Sequence, residues 1–147
     1  MANRVNSWPV LVSAALLSVF ATLPAAAPLR AAGVGSDDSD AIISFKKQIQ
    51  PIFDANCVAC HQSGSAQEGL VLEEGKAYAS LIRKPSHQAN MALILPGSPQ
   101  ESYLLHKADG SQVSVHGRGE RMPLGGKLDP QELELLRAWV AAGAENN

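Results

Sequence analysis

Residues 56–62 read "NCVACHQ" and hold the only two cysteines of the chain, Cys57 and Cys60, with His61 directly behind them. Two thiols at this spacing fit four chemistries: a disulfide, a redox-active thiol pair, half of a zinc site, or covalent attachment of a cofactor. A disulfide across two residues closes a tiny loop and removes little chain entropy. A thioredoxin-type pair needs a strand–helix–strand setting, and no strand signal flanks Cys57. Zinc asks for four ligands, and no second C-x-x-C follows; His87, His106 and His116 have no metal-site spacing. C-x-x-C-H is the pattern that attaches haem c. Each thiol adds across one vinyl group, and on a helical turn this spacing matches the separation of the vinyls. The adjacent imidazole then serves as the proximal iron ligand. Cys57 and Cys60 are thus the expected attachment points and His61 an expected ligand.

A haem in an electron carrier normally has a second axial ligand. Met91, Met122 and the three remaining histidines compete for that place. Met122 lies in "GERMPLGGKL", a glycine-rich loop just before the last helix, where a ligand-bearing loop can wrap over a haem face. Met91 sits beside the apolar run "ALIL" and reads as core. His87, His106 and His116 read as surface residues. Arg118 and Arg121 flank the Met122 loop, and their guanidinium groups suit haem carboxylates, although solvated loop arginines are the commoner case. Tyr78 and Trp139 read as core aromatics that also suit a haem edge.

The elements that must position these groups are helical. Ser44 is a candidate cap for a helix with Phe45, Ile49, Ile52 and Phe53 on one face, and Pro51 predicts a kink or two short turns within it. "HQSGSAQEGL" is a loop by composition. "LEEGKAYASLI" predicts a short helix with Tyr78, Leu81 and Ile82 on one side. "LILPGSPQESYLLHKADG" predicts a turn at Pro96-Gly97 and a helix capped by Ser98 with Pro99 in its first position. "SQVSVHGRGERMPLGG" is a long loop of the kind that often carries function. The last helix has Asp129 at its N-cap, Pro130 next and Glu132 at N3. Leu133, Leu136, Trp139 and Val140 form its apolar face, and Gly143 is its stop.

The first 33 residues differ from the rest. Arg4 precedes the uncharged run "PVLVSAALLSVFATL", and small residues follow in "PAAAPLRAAG". This order is that of a secretory signal peptide, and the run is shorter than the roughly 20 residues that span a bilayer. Residues 34–43 read as a flexible leader, and 44–147 as one domain. The chain has 147 residues and a formal charge of −2, too little positive charge for a nucleic-acid partner. Without the signal region, all 14 acidic residues would remain against fewer basic ones, so the exported form is mildly acidic.

From about Ser44 to Ala144 the chain resembles the single-haem c-type cytochrome domain of planctomycete-type proteins. The matching stretches are "FKKQIQPIFDANCVACH", "LPGSPQESYLL", "RMPLGGKL" and "LLRAWVAAGA". The resemblance implies an all-α, class I cytochrome c-like fold with long loops. Its N- and C-terminal helices pack together, one haem c sits in a crevice, and His61 and Met122 are the axial ligands. With the signal peptide it predicts a periplasmic electron carrier that meets redox partner proteins transiently and performs no enzymatic step, and the short apolar run predicts no membrane span in the mature chain. The alternatives are a cytochrome subunit of a dehydrogenase or oxidase complex and, less favoured, a haem enzyme or sensor with an open sixth site. A di-haem peroxidase needs a second C-x-x-C-H, and Met122 argues against an open site.

Overall fold

The computed structural model describes residues 42–147. The signal peptide expected at 1–33 and most of the leader expected at 34–43 lie outside the described residues.

The chain enters its first helix at Ser44, whose Oγ accepts from the Lys47 N–H at 3.3 Å. Phe45–Ile49 forms a π-helical turn, with the Gln50 N–H reaching back to the Phe45 carbonyl, and α1 follows as Gln50–Asn56. Pro51 accounts for the change of winding. It has no N–H to give and its ring crowds the carbonyl one turn back, so the turn before it widens and α1 starts with proline in its first turn, where proline is tolerated. The expected apolar face holds, because Phe45, Ile49, Ile52 and Phe53 are all buried.

Helix α2, Ala77–Leu81, turns Ala77 and Leu81 into the core, while Tyr78 and Ile82 pack half-buried at its edge. Helix α3 runs from Tyr103 to Asp109. The helix expected from Ser98 is broken: Pro99–Glu101 makes a separate 3-10 turn, and Ser98 caps nothing with its side chain. Ser102 causes the break. It is fully buried, its Oγ donates to the Ser98 carbonyl at 2.9 Å, and it accepts from the Leu95 N–H at 2.9 Å. A serine hydroxyl that bonds local backbone competes with helix continuation.

Helix α4, Pro130–Ala141, has the expected reciprocal cap of Asp129 and Glu132. At its other end the Gly143 N–H bonds the Val140 carbonyl and the Ala144 N–H bonds that of Trp139. This closure needs the left-handed backbone that glycine supplies, here φ +106° at Gly143. The described residues form no strand, only three isolated bridges, Ile82 with Ile94, Pro85 with Ala92, and Ala92 with Ser102.

The two ends of the described chain meet. The Phe45 ring packs on Trp139 of α4 and edge-on to Tyr78, each with centroids 5.4 Å apart. Asn147 lies over the first turn, accepting from the Phe45 N–H with its side chain and from the Lys46 N–H with its main chain. Those are N–H groups a helix start leaves without internal partners. Trp139 is buried, and its indole donates to the Glu145 carbonyl at 3.0 Å. Trp139 is a core residue, and the half-buried Tyr78 packs against the core. Met91 is not a core residue: it is half-buried and stands outside the main apolar cluster.

Trp139→Ala should cost about 3–5 kcal/mol of unfolding free energy. Urea denaturation followed by far-UV circular dichroism checks this, and a loss below about 1 kcal/mol would contradict the aromatic contact as the joint between the chain ends.

Candidate haem-binding crevice

Cys57 ends α1, and the helical winding carries on for one more turn. The Cys60 and His61 N–H groups both bond the Cys57 carbonyl, at 3.1 and 3.0 Å. Residues three and four apart on such a turn are neighbours, which is how this short motif gathers two thiols and an imidazole. The Leu72 N–H then bonds the His61 carbonyl at 2.7 Å and closes the following loop. Glu73 holds that loop from α2's side, accepting from the Ser63 backbone and hydroxyl and from Lys76.

Met122 arrives on a separate segment. Its N–H bonds the Lys107 carbonyl of α3 at 2.8 Å, and its peptide bond to Pro123 is cis. Cys57, Cys60, His61 and Met122 all line one crevice of about 360 Å³. Ile52, Leu72, Leu104, Leu128 and Leu136 make most of its wall apolar. A cavity of this size and lining is typical of a small-molecule or cofactor site.

The donor set fits haem c. Both thiols are free. Burial, helped by the nearby Glu132 carboxylate, pushes the Cys57 thiol up to about 11. A redox-active C-x-x-C instead needs a thiol pushed down toward neutrality. The His61 Nδ1 is buried with no hydrogen-bond partner within the protein, an uncompensated state for an imidazole left alone. Among the described residues no group of three or more His, Cys, Asp or Glu side chains is placed to hold a metal ion, so a four-ligand zinc site lacks its partners.

The helical fold and this crevice find their counterpart in a family model, that of PccH cytochrome c, which matches residues 44–147. The chain belongs to the PccH cytochrome c family. Its cofactor is covalently bound haem c. No curated protein and no solved structure matches the chain.

The polar wall of the cytochrome crevice differs from the sequence expectation. Neither Arg118 nor Arg121 lines it. The Arg118 guanidinium bonds the His87 carbonyl at 2.9 Å, and the Arg121 side chain lies close against Gly110. His116 is exposed, while both ring nitrogens of His106 are engaged by Ser111 and the Gln100 carbonyl. His87 does reach the crevice, and so do Tyr103 and Lys107 of α3. The Tyr103 hydroxyl and the Lys107 ammonium both donate to the Arg118 carbonyl, at 3.0 and 3.2 Å. Burial raises the Tyr103 pKa and lowers that of Lys107. Tyr103 and Lys107 stand one helical turn apart; that spacing, applied to "YLLHK", is the signal by which the sequence would have paired them.

The Tyr103 ring is seated against a glycine. A Cβ at Gly117 would overlap the ring at its Cε2 and hydroxyl, so Gly117→Ala forces the ring or the loop to move. Such overpacking should cost about 1–3 kcal/mol, measured by thermal or urea unfolding; a neutral substitution would contradict the seating of Tyr103.

Hydrogen bonds from Lys76 and then Ser63 hold the Glu73 carboxyl down at about 2, whereas a free glutamate titrates near about 4.3. A depressed folded pKa stabilises the protein above the unfolded value and loses that contribution as pH falls toward 2. Wild type should therefore be more stable than Glu73→Gln at pH 6, with the two converging by about pH 2 in unfolding curves taken across that range. A constant difference down to the lowest pH would refute the Glu73 staple.

Proposed function

We propose that this chain is an exported mono-haem electron carrier, with its haem joined to Cys57 and Cys60 and ligated by His61 and Met122. One observation carries the reading: two separate chain segments place these four side chains on a single, mostly apolar crevice. Bound haem supplies a one-electron couple that makes and breaks no substrate bond. Thioether bonds from Cys57 and Cys60 would fix its position. The imidazole of His61 and the thioether of Met122 would both hold the iron, which fits a carrier rather than an enzyme that needs an open coordination site. A methionine ligand favours the reduced state relative to a second histidine. The leucine and isoleucine walls exclude water and disfavour the extra charge of the oxidised state, which acts in the same direction.

Export rests on the order of basic, apolar and small residues within 1–33. No described helix is long and apolar enough to cross a membrane. The planctomycete-type kinship rests on the sequence motifs. Transient redox partner proteins would meet the haem edge, through the small interfaces usual for electron-transfer encounters.

The protein should be produced with haem-attachment machinery and its visible spectrum recorded oxidised and reduced. Sharp low-spin bands when reduced and a weak far-red sulfur-to-iron band when oxidised are the expected result. Met122→Ala should abolish the far-red band, and the double change Cys57→Ser, Cys60→Ser should leave haem extractable by acidified solvent. A high-spin wild-type spectrum would count against the carrier reading.

A further inference from the structure

Lys107 is a lysine in an uncommon place. It is only 8% exposed, it lines the crevice, and it is the only lysine or arginine among the described residues that does so. An ammonium carries three donors, and the structure uses one, on the Arg118 carbonyl at 3.2 Å. The two ion pairs among the described residues, Lys76 with Glu73 and Arg137 with Asp109, do not involve it. Glu68, which also lines the crevice, and Glu120 lie near enough to favour its charged form, but neither pairs with it directly. A buried charge without a direct partner is costly, and this one belongs to the wall of a cofactor cavity. Its neighbours are built to keep it there. Tyr103, one turn earlier, occupies the same Arg118 carbonyl. Arg118 is tied in turn to the Gln88 carbonyl through its N–H at 3.0 Å and to the His87 carbonyl through its guanidinium. His87, Gln88, Tyr103 and Lys107 therefore form one connected polar wall in a crevice that is otherwise mostly apolar.

Haem carries two propionate carboxylates, and they lie away from the vinyl edge that the cysteines take. We propose that the Lys107 ammonium is the counter-charge for a haem propionate, with the Tyr103–Arg118 contact holding the lysine in position. The inference rests on the haem reading above. It assigns to α3 the role that residue types alone suggested for the arginines of the Met122 loop. An ammonium beside a carboxylate gains a charge-assisted hydrogen bond and uses the free donors that the protein leaves unmade. It would also put a positive charge beside the haem, which disfavours oxidation.

The test uses the full haem-loaded protein. In the reduced, diamagnetic state, nuclear Overhauser contacts should join the Lys107 ε-methylene to a propionate methylene. Contacts from Lys107 to the Arg118–Gly119 segment alone would overturn the proposal. Spectroelectrochemical titration should give a lower midpoint potential for Lys107→Gln with the far-red band intact. Lys107→Arg should return the potential toward wild type, and Lys127→Gln, an exposed charge on the Met122 loop, should move it far less. An unchanged potential in Lys107→Gln, or a change that appears only with loss of the far-red band, would also overturn the proposal, the second because the lysine would then act through Met122. If Lys107→Gln does not fold, the wild-type contacts still decide. A wild-type protein without low-spin haem would instead sink the carrier reading on which this rests.

Discussion

Phe45 and Trp139 stand near the two ends of the described chain, and their rings meet at 5.4 Å. The crevice depends on that contact. Its walls come from α1, α3, α4 and the segments 57–72, 85–93 and 122–128, and among the described residues no sheet joins them. Only side-chain packing and a few long-range hydrogen bonds set their distances. The aromatic joint, with Tyr78 edge-on and Asn147 over the first turn, fixes α1 against α4. Arg137 of α4 pairs with Asp109 at the end of α3. Burial alone would raise the Asp109 pKa, but hydrogen bonds from Ser111 and Arg137 pull it down, so the carboxylate stays charged where the pair needs it. In this way α4 becomes the common support of the helix that ends in Cys57 and the helix from which Met122 hangs.

Much of this was legible in the residues because the relevant signals are local. Asp129, Pro130 and Glu132 announce the start of α4 within four positions, and the apolar spacing of Phe45, Ile49, Ile52 and Phe53 survives the change of winding at Pro51. C-x-x-C-H needs only one turn to gather its groups. The illegible parts depend on contacts between distant segments. Ser102 looked like an ordinary helical serine, and only its burial between Leu95 and Ser98 makes it a break. Lys107 carries no local signal either: its buried ammonium bonds the Arg118 carbonyl, eleven residues away in sequence.

The arginines show the same limit from the other side. Arg118 and Arg121 flank Met122 in sequence, and their guanidinium groups suit haem carboxylates. The loop turns them elsewhere: Arg118 reaches the 87–88 segment, and Arg121 packs along Gly110, whose left-handed conformation at φ +86° ends α3. A Cβ at Gly110 would come within 2.9 Å of the Arg121 side chain. That glycine therefore serves twice, in a turn no other residue enters easily and as the floor on which an arginine lies.

The segments that carry His61 and Met122 are held to the fold unequally. The turn from Cys57 to His61 continues a helix and has four of its N–H groups bonded within that winding or back into α1. The Met122 segment has no buried residue from Arg118 to Lys127 and is tied to the rest of the fold chiefly through Arg118 and through its own N–H on Lys107. Opening a region costs free energy in proportion to the buried area and backbone bonds it gives up. The methionine side consequently gives up less on opening and has the shallower energy well, while the cysteine–histidine turn shares the stability of α1.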